Sequence, residues 1–533
     1  MDEPPSKRQA IAGADDRPRA SPKSLTRDIS PPMRRSAMPQ PHQKQPHQKQ
    51  PRKVIASPFR LTKIRDLPTA SNVDAISLHD LLGDPLIAEC WEFNFLHDVD
   101  FLMGHFDQDV RSLVKVHLVH GFWKREDQNR IMLEQQASQH QNVALHAAYM
   151  PEMFGTHHSK MMILLRHDSK AQVIIHTANM IAKDWTNMTN GVWQSPLLPL
   201  LNRPDSGESN GPAGSGKKFK ADLLNYLSAY NTKRDVCKSL VKELARYDFS
   251  EVRGSLVASV PGRHPLESGS STRWGWAALK YALRDAPIYQ GKSDVVAQVS
   301  SIATLGGTDA WLQKTLFESM SSTGKSNTIP RFKVVFPTAD EIRRSLDGYA
   351  SGGSIHTKIQ SAQQQKQLEY LRPMFCHWAN DTEAGISSGG VSSSLGEHDA
   401  GRQRAAPHIK TYIRYNSQSS VDWALLTSAN ISKQAWGEAV NAAKEVRIAS
   451  WEIGVLVWPD LLADGKGARM VGTFKTDTPD RNEHEDKFKG EDDGTLIGLR
   501  IPYNLPLQKY GPGEEPWVAT ADYQEPDWMG KTW

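Results

Sequence analysis

Cysteine is almost absent: the 533 residues hold three, Cys90, Cys237 and Cys376, far apart in the chain. That excludes a disulfide framework or a zinc site built on cysteine pairs, and buried thiols are the expectation. Long apolar runs are missing too. No stretch approaches the ~18 residues that a membrane span needs, and no apolar core follows the N-terminus as in a signal peptide. A cytosolic or nuclear protein without membrane contact is expected. Acidic residues are scarce at one end only. Residues 1 to 60 carry 13 Lys/Arg against 5 Asp/Glu, net +8, while the whole chain is +4, so the remainder is −4. A basic segment on a near-neutral body fits a polyanion partner, a solvated tail being the bland alternative.

Residues 1–69 are rich in Pro, Ser, Gln and basic side chains, and Pro-His-Gln-Lys-Gln is written twice in succession from 41 to 50. Such a composition cannot build a core, so a disordered basic tail is expected. The pairs Lys7-Arg8, Arg34-Arg35 and Arg52-Lys53 fit nuclear import, a signal of low specificity. Beyond the tail, strand-like runs alternate with helical stretches, which favours α/β layers. Ser77 opens a capped helix, Val114–His120 reads as a strand, and helices are expected over Lys220–Tyr230 and Val236–Tyr247. Ser255–Gly262 reads as the first strand of a second lobe, with further strands over Val295–Val299 and Phe332–Phe336. The lobes are therefore set at 70–254 and 255–533. The Gly/Ser/Pro-rich stretches 202–216 and 381–406 are expected to be a mobile loop and a disordered segment or lid.

A duplication carries the chemistry. The first copy reads Gly155-Thr156-His157-His158-Ser159-Lys160 before an apolar run, and a second run ends in Thr177-Ala178-Asn179. In extended chain residues i and i+2 share a face, so His158 and Lys160 lie on one side and His157 on the other. The second copy is Pro407-His408-Ile409-Lys410, then Thr427-Ser428-Ala429-Asn430. Lys to Asn spans 19 positions in one copy and 20 in the other, and a Trp follows each Asn by six, Trp185 and Trp436. One His-x-Lys among 19 histidines is weak; the repeated spacing implies two similar lobes around one shared pocket.

Two imidazoles, two ammonium groups and two amides suit a phosphodiester. One imidazole, neutral, attacks phosphorus, and the other, protonated, gives its proton to the leaving oxygen. The Lys and Asn side chains stabilise charge on the phosphoryl oxygens, a task a metal performs elsewhere. The clusters contain no carboxylate cage, so neither metal nor other cofactor is expected. Glu452 interrupts the apolar run Ser450–Val457 and is the candidate to orient one imidazole, against the alternative of an edge-strand Glu in water.

These paired His-x-Lys…Asn motifs resemble the phospholipase D superfamily, and within it the tyrosyl-DNA phosphodiesterases, whose motifs lack the Asp of ordinary phospholipases D. The resemblance covers nearly everything after residue 70. It implies a phospholipase D-like fold of two mixed sheets flanked by helices, sharing one site. His158 would be the nucleophile of a phosphohistidine intermediate and His408 the general acid and then base, with Lys160, Lys410, Asn179 and Asn430 on the phosphate. Glu452 would hold His158; Phe154 would stack on DNA, Ser300 and Ser301 contact its backbone, and Trp517 lie near the substrate. For Phe154 composition favours a core residue about as strongly, and Ser300-Ser301 alone is a turn signal. The partner of His408 stays open, because Asn190 stands where the family has a Gln one methylene longer.

The activity so implied is hydrolysis of a 3′-phosphotyrosyl bond between DNA and topoisomerase I, and of other 3′ adducts, in the nucleus. Single-stranded or duplex 3′ ends would be the partners and a monomer the acting species. The competing readings are a broader phospholipase D-type phosphodiesterase or nuclease, and a non-catalytic DNA-binding protein with a degenerate site.

Overall fold

Short runs of Ile, Val, Leu and Met bounded by Gly, Asn and Asp become buried strands. The computed structural model describes residues 53–533 except 203–210, 268, 322–328, 380–397, 464–466 and 482–493. The tail up to residue 52 with its import pairs, most of the 202–216 loop and most of the 381–406 segment therefore lie outside the described residues.

In chain order the strands are β1 Val54–Ile55, β2 Arg60–Leu61, β3 Ile87–Phe93, β4 Lys115–His120, β5 Val143–Ala147, β6 Met161–Arg166, β7 Lys170–His176, β8 Gly191–Gln194 and β9 Leu198–Pro199. They continue with β10 Ser255–Ser259, β11 Gly262–Pro265, β12 Ser293–Gln298, β13 Arg331–Val335, β14 Phe375–Cys376, β15 Thr411–Asn416 and β16 Val421–Thr427. The last are β17 Glu445–Ile448, β18 Glu452–Val457, β19 Arg469–Thr473 and β20 Leu496–Arg500.

One sheet runs β2-β8-β7-β6-β3-β4-β5, with β9 on β7. The other runs β1-β20-β19-β16-β15-β12-β13-β14, with β18 joining β16 to β10. The duplication seen in the motifs extends to topology. In the first lobe β3 pairs parallel with β4 and antiparallel with β6, which pairs antiparallel with β7. In the second β12 pairs parallel with β13 and antiparallel with β15, which pairs antiparallel with β16. Each mixed sheet is flanked by helices. Gly216–Ala229, capped by the Ser215 hydroxyl, buries Phe219, Leu223 and Leu227, and Leu78–Leu82 starts with a Ser77/Asp80 capping box. The expected helix over Val236–Tyr247 forms as Lys238–Leu244. All three cysteines are buried free thiols. No helix among the described residues is long and apolar enough to cross a membrane.

Two backbone clasps join the lobes. Beside the first motif, the Trp451 amide donates to Thr156 O at 2.9 Å and the His158 amide donates to Trp451 O at 3.0 Å. Beside the second, the Thr189 amide donates to Ala406 O, and the His408 and Ile409 amides both donate to Thr189 O, at 2.9–3.0 Å. At the first clasp the backbones approach so closely that a Cβ on Gly155 would sit 1.9 Å from the Ala449 carbonyl oxygen. Only glycine fits there.

The expected limit of the tail is corrected. Residues 53–69 are part of the fold: β1 pairs with β20, β2 pairs with β8, and Phe59, Leu61 and Ile64 are buried. Two-residue strands leave no periodicity to detect, and flanking Pro and basic residues make the composition look tail-like. A chain starting at residue 63 should be less stable than one starting at 53 by roughly 3–6 kcal/mol, the burial of Phe59 and Leu61. Equal denaturant midpoints would refute that packing role.

Candidate active site

Each motif occupies the same place in its lobe. His158 and Lys160 lie in extended chain just before β6, and Asn179 follows the end of β7; His408 and Lys410 precede β15, and Asn430 follows β16. The strands begin after the lysines rather than at the histidines. Backbone pairing holds the ends together, the His176 amide donating to Lys160 O and the Thr427 amide to Lys410 O. His157 points away from its neighbour, as alternation predicts: its Nδ1 is 2.8 Å from Asn94 O and its Nε2 is 2.9 Å from the Tyr230 hydroxyl.

His158 Nδ1 meets Glu452 Oε2 at 2.9 Å. Glu452 is buried on β18, which pairs on both sides, so it is not an edge residue in water. The same oxygen accepts the Ser428 hydroxyl at 2.5 Å. A carboxylate at Nδ1 fixes the proton there and leaves Nε2 with the free lone pair.

His408 is held in the same way. Its Nδ1 lies 3.2 Å from Asn190 Oδ1 and 3.1 Å from Asp184 Oδ2. Asn190 thus reaches its target despite the shorter side chain. Its own amide nitrogen donates to Asp184 O at 2.8 Å, and its oxygen also accepts the Thr177 hydroxyl at 2.9 Å. Asp184 is the functional residue that sequence reasoning missed. It sits in the short helix Ala182–Thr186, and its carboxylate also accepts the Asn179 amide at 2.7 Å. Aligning the copies would have flagged it, since Asp184 precedes Trp185 where Ala435 precedes Trp436.

Lys160 and Lys410 are fully buried, and each donates to the carbonyl of its own motif histidine. Two of the three N–H donors on each ammonium have no partner among the described residues. Burial pulls Lys160 down to about 8, with Glu452 and Asp184 opposing. Burial and the nearby Lys160 pull Lys410 well below the usual ammonium range. Burial likewise depresses His158, against Glu452, and depresses His408 further, helped by Lys410 and Lys160. An anion between these cations relieves the repulsion, so phosphate binding and proton uptake are linked. Asn430 turns its oxygen to the Ser300 and Ser301 amides, at 3.0 and 2.9 Å. That leaves its NH₂ as a donor. Asn179 has a buried Oδ1 without a hydrogen-bond partner among the described residues.

The residues expected at DNA divide. Phe154 is 77% exposed, not core, and is free to act as a platform. The Ser300 and Ser301 amides are engaged in orienting Asn430. Trp517 is a correction. It is fully buried, its indole N–H donates to Gly352 O and Ile355 O, and Tyr349 and Tyr523 stack on it. It packs the segment that bears His356 rather than meeting a ligand. Among the described residues no group of three or more His, Cys, Asp or Glu could hold a metal ion.

Two measurements test this geometry. Asp184→Asn should lower kcat on the order of 10- to 100-fold, as loss of an orienting partner does. An unchanged kcat would remove Asp184 from the account. The pH profile of kcat/KM reports the free protein. His158 must be neutral and its pKa is depressed, so the acid limb should lie below about 6.5. His408 must be protonated to act as the acid and is depressed further than His158, so kcat/KM should already decline as pH rises towards neutrality, and loss of the Lys160 proton near 8 should add to that fall. Glu452→Gln removes a group that raises His158 and should move the acid limb lower. A limb that stays in place would contradict the pairing.

The family model for tyrosyl-DNA phosphodiesterase matches residues 58–511. The chain is 30% identical over 561 residues to a probable tyrosyl-DNA phosphodiesterase of Schizosaccharomyces pombe, covering 93% of this chain and 98% of the relative. It is 31% identical over 480 residues to tyrosyl-DNA phosphodiesterase 1 of Drosophila melanogaster, covering 87% and 74%. A crystal structure of the yeast tyrosyl-DNA phosphodiesterase shares the fold, with a TM-score of 0.58 at 19% identity over 88% of this chain and 100% of that one. The chain belongs to the tyrosyl-DNA phosphodiesterase family, phosphodiester hydrolases that act on DNA.

Proposed function

We propose that this protein removes topoisomerase I peptides, and other 3′ adducts, from DNA ends through a covalent phosphohistidine, leaving a 3′-phosphate. One observation carries the reading: His158 has its Nδ1 hydrogen-bonded to the Glu452 carboxylate, His408 has its Nδ1 hydrogen-bonded to the Asn190 amide oxygen with the Asp184 carboxylate 3.1 Å away, and the lysines and amides of an anion site accompany them. In the first step the His158 Nε2 lone pair forms a bond to phosphorus as the bond from phosphorus to the tyrosyl oxygen breaks. That oxygen takes the proton from His408 Nε2. In the second step His408, now neutral, takes a proton from water, whose oxygen bonds to phosphorus as the P–N bond breaks. Lys160, Lys410, Asn179 and Asn430 hold the phosphoryl oxygens in both steps. The phosphate charge raises His408 from its depressed value in the free protein, giving the first step its acid.

Phe154 would stack on a DNA base. One chain supplies both histidines and both orienting carboxylates, so a monomer suffices. The basic pairs of the first 53 residues and the DNA substrate together support action in the nucleus. The site's donors are cations and amides, and its two carboxylates are engaged with imidazoles, so activity should survive EDTA.

Incubation with a 3′-phosphotyrosyl oligonucleotide should yield a 3′-phosphate. His158→Ala should give neither product nor adduct. A tyrosine phenol, pKa about 10, leaves tolerably without an acid, whereas water attacks poorly without a base. His408→Asn should therefore accumulate DNA linked to a peptide containing His158, visible on a denaturing gel and by mass spectrometry. An adduct in His158→Ala but not in His408→Asn would invert the roles. Turnover of phosphatidylcholine without release of tyrosine would overturn the substrate assignment.

A further inference from the structure

A buried guanidinium needs a partner for every N–H it carries out of water. Two arginines where the N-terminal segment meets the second lobe lack several. Arg402 is 1% exposed and Arg500 2%. Arg402 Nη1 donates to Thr62 O at 3.0 Å, and Arg500 Nη1 donates to Val73 O at 3.2 Å and to Asp477 Oδ1 at 3.0 Å. Nε and Nη2 of both are buried without a hydrogen-bond partner among the described residues. These two nitrogens form one edge of the guanidinium, the planar fork that takes two oxygens of a carboxylate or phosphate at once. Both arginines thus hold the protein through the same nitrogen and leave the same edge open.

The two forks belong to one cluster. Thr62 and Val73 lie on a segment that folds back on itself, the Ile76 amide donating to Leu61 O and the Lys63 amide to Ile76 O. The Ser57 hydroxyl accepts the Arg500 amide at 2.9 Å, and the Ser57 amide donates to Asp477 O at 2.8 Å. Thr473 is the β19 partner of Arg500, and its buried hydroxyl also has no hydrogen-bond partner among the described residues. Gly498 and Arg500 share a face of β20. A Cβ on Gly498 would lie 3.0 Å from Thr473 Cγ2 and 2.3 Å from Asp477 O, so Thr473 and Asp477 sit on that face as well.

The charge of the cluster does not balance. Two buried guanidinium groups face one buried carboxylate, Asp477. At the rim Arg60, 3.8 Å from Asp477 Oδ2, and Asp74, whose Oδ2 accepts the Asp477 amide at 2.9 Å, add one charge of each sign. Burial, and after it the Arg500 charge, pull Arg402 down to about 9, with Asp477 opposing. Water can fill open donors but does not neutralise an excess buried charge. Two side-on forks, a hydroxyl and one surplus positive charge make the donor set of a tetrahedral oxyanion. We propose that Arg402 and Arg500, with the Thr473 hydroxyl, bind a phosphate or sulfate ion that is separate from the catalytic phosphate site and acts as a structural tie. Strand β1 of the segment it clamps pairs with the second sheet and β2 with the first. Arg402 itself lies six residues before His408. A halide meets single donors and makes no use of paired edges, so an oxyanion should bind in preference to chloride.

The test is the thermal midpoint of the full-length chain, for wild type, Arg402→Met and Arg500→Met, titrated with sodium sulfate at an ionic strength held constant with sodium chloride. Sulfate is kept below about 10 mM, where its general stabilising effect on proteins is small. The wild-type midpoint should rise by about 3 °C and level off in that range, as for a ligand at about 100 times its Kd on a chain of this size. The active-site lysines can also take sulfate, and the variants keep them, so the variants supply the baseline: the rise should fall by at least half in each. In chloride alone each variant should melt close to the wild type, because an apolar side chain replaces a buried charge that the protein does not balance. An equal rise in wild type and variants would put the ion at the active-site lysines and overturn the proposal. So would a wild-type midpoint without a saturating rise, the forks then being filled by water or by a carboxylate of the chain itself. Should the variants fail to fold, wild-type crystals grown with selenate decide: an anomalous peak within hydrogen-bond reach of Nε and Nη2 of both arginines is expected, and no peak there refutes the site. A peak without the sulfate rise in solution is binding at crystal concentration only, and also refutes it.

Discussion

The structure depends on each lobe holding the other lobe's histidine. His158 belongs to the first lobe and is oriented by Glu452 of the second; His408 belongs to the second and is oriented by Asp184 and Asn190 of the first. The backbone repeats this exchange, with Trp451 bonded across to Thr156 and His158, and Thr189 to Ala406, His408 and Ile409. Neither half can orient its own imidazole. The site exists only where the two sheets meet, and the clasps that join the lobes are the ones that set the histidines.

Burial makes this arrangement effective and demanding. Two ammonium groups and two imidazoles are enclosed with two carboxylates, and an enclosed charge is stable only with partners. Glu452 and Asp184 supply part of that compensation and a bound phosphate supplies the rest, so affinity and catalysis draw on the same cations. Because Glu452 fixes the Nδ1 proton of His158 and Asn190, with Asp184 beside it, fixes that of His408, the chemistry is confined to the two Nε2 atoms. A symmetrical pair of motifs can then divide the roles of nucleophile and proton carrier according to which side the leaving group occupies.

Much of this was legible in the chain because duplication leaves a spacing that composition cannot imitate. The copies at Lys160…Asn179 and Lys410…Asn430 implied two lobes and one shared pocket, and both lie at equivalent strand ends. Glu452 was visible as a charge inside an apolar run. Asp184 was overlooked, because between Lys183 and Trp185 it looks like any acidic residue of a helix turn; setting the copies side by side shows Ala435 in its place before Trp436, and the fold carries it to His408. Trp517 was misplaced for the opposite reason, since an indole is as useful in a core as against a ligand and local sequence does not separate the two. Strands β1 and β2 escaped because two residues cannot display an alternation, and their burial comes from sheet edges made by β20 and β8, far along the chain.

The crossed holding of the histidines is tested most directly by nitrogen-15 NMR of the histidine-labelled protein at neutral pH, with the two rings assigned by difference from His158→Gln and His408→Gln. Both rings should carry the proton on Nδ1 and none on Nε2. Glu452→Gln should alter the Nδ1 signal of His158 alone, and Asp184→Asn that of His408 alone. A proton on Nε2 of either ring in the free protein, or a His408 signal indifferent to Asp184→Asn, would contradict the account.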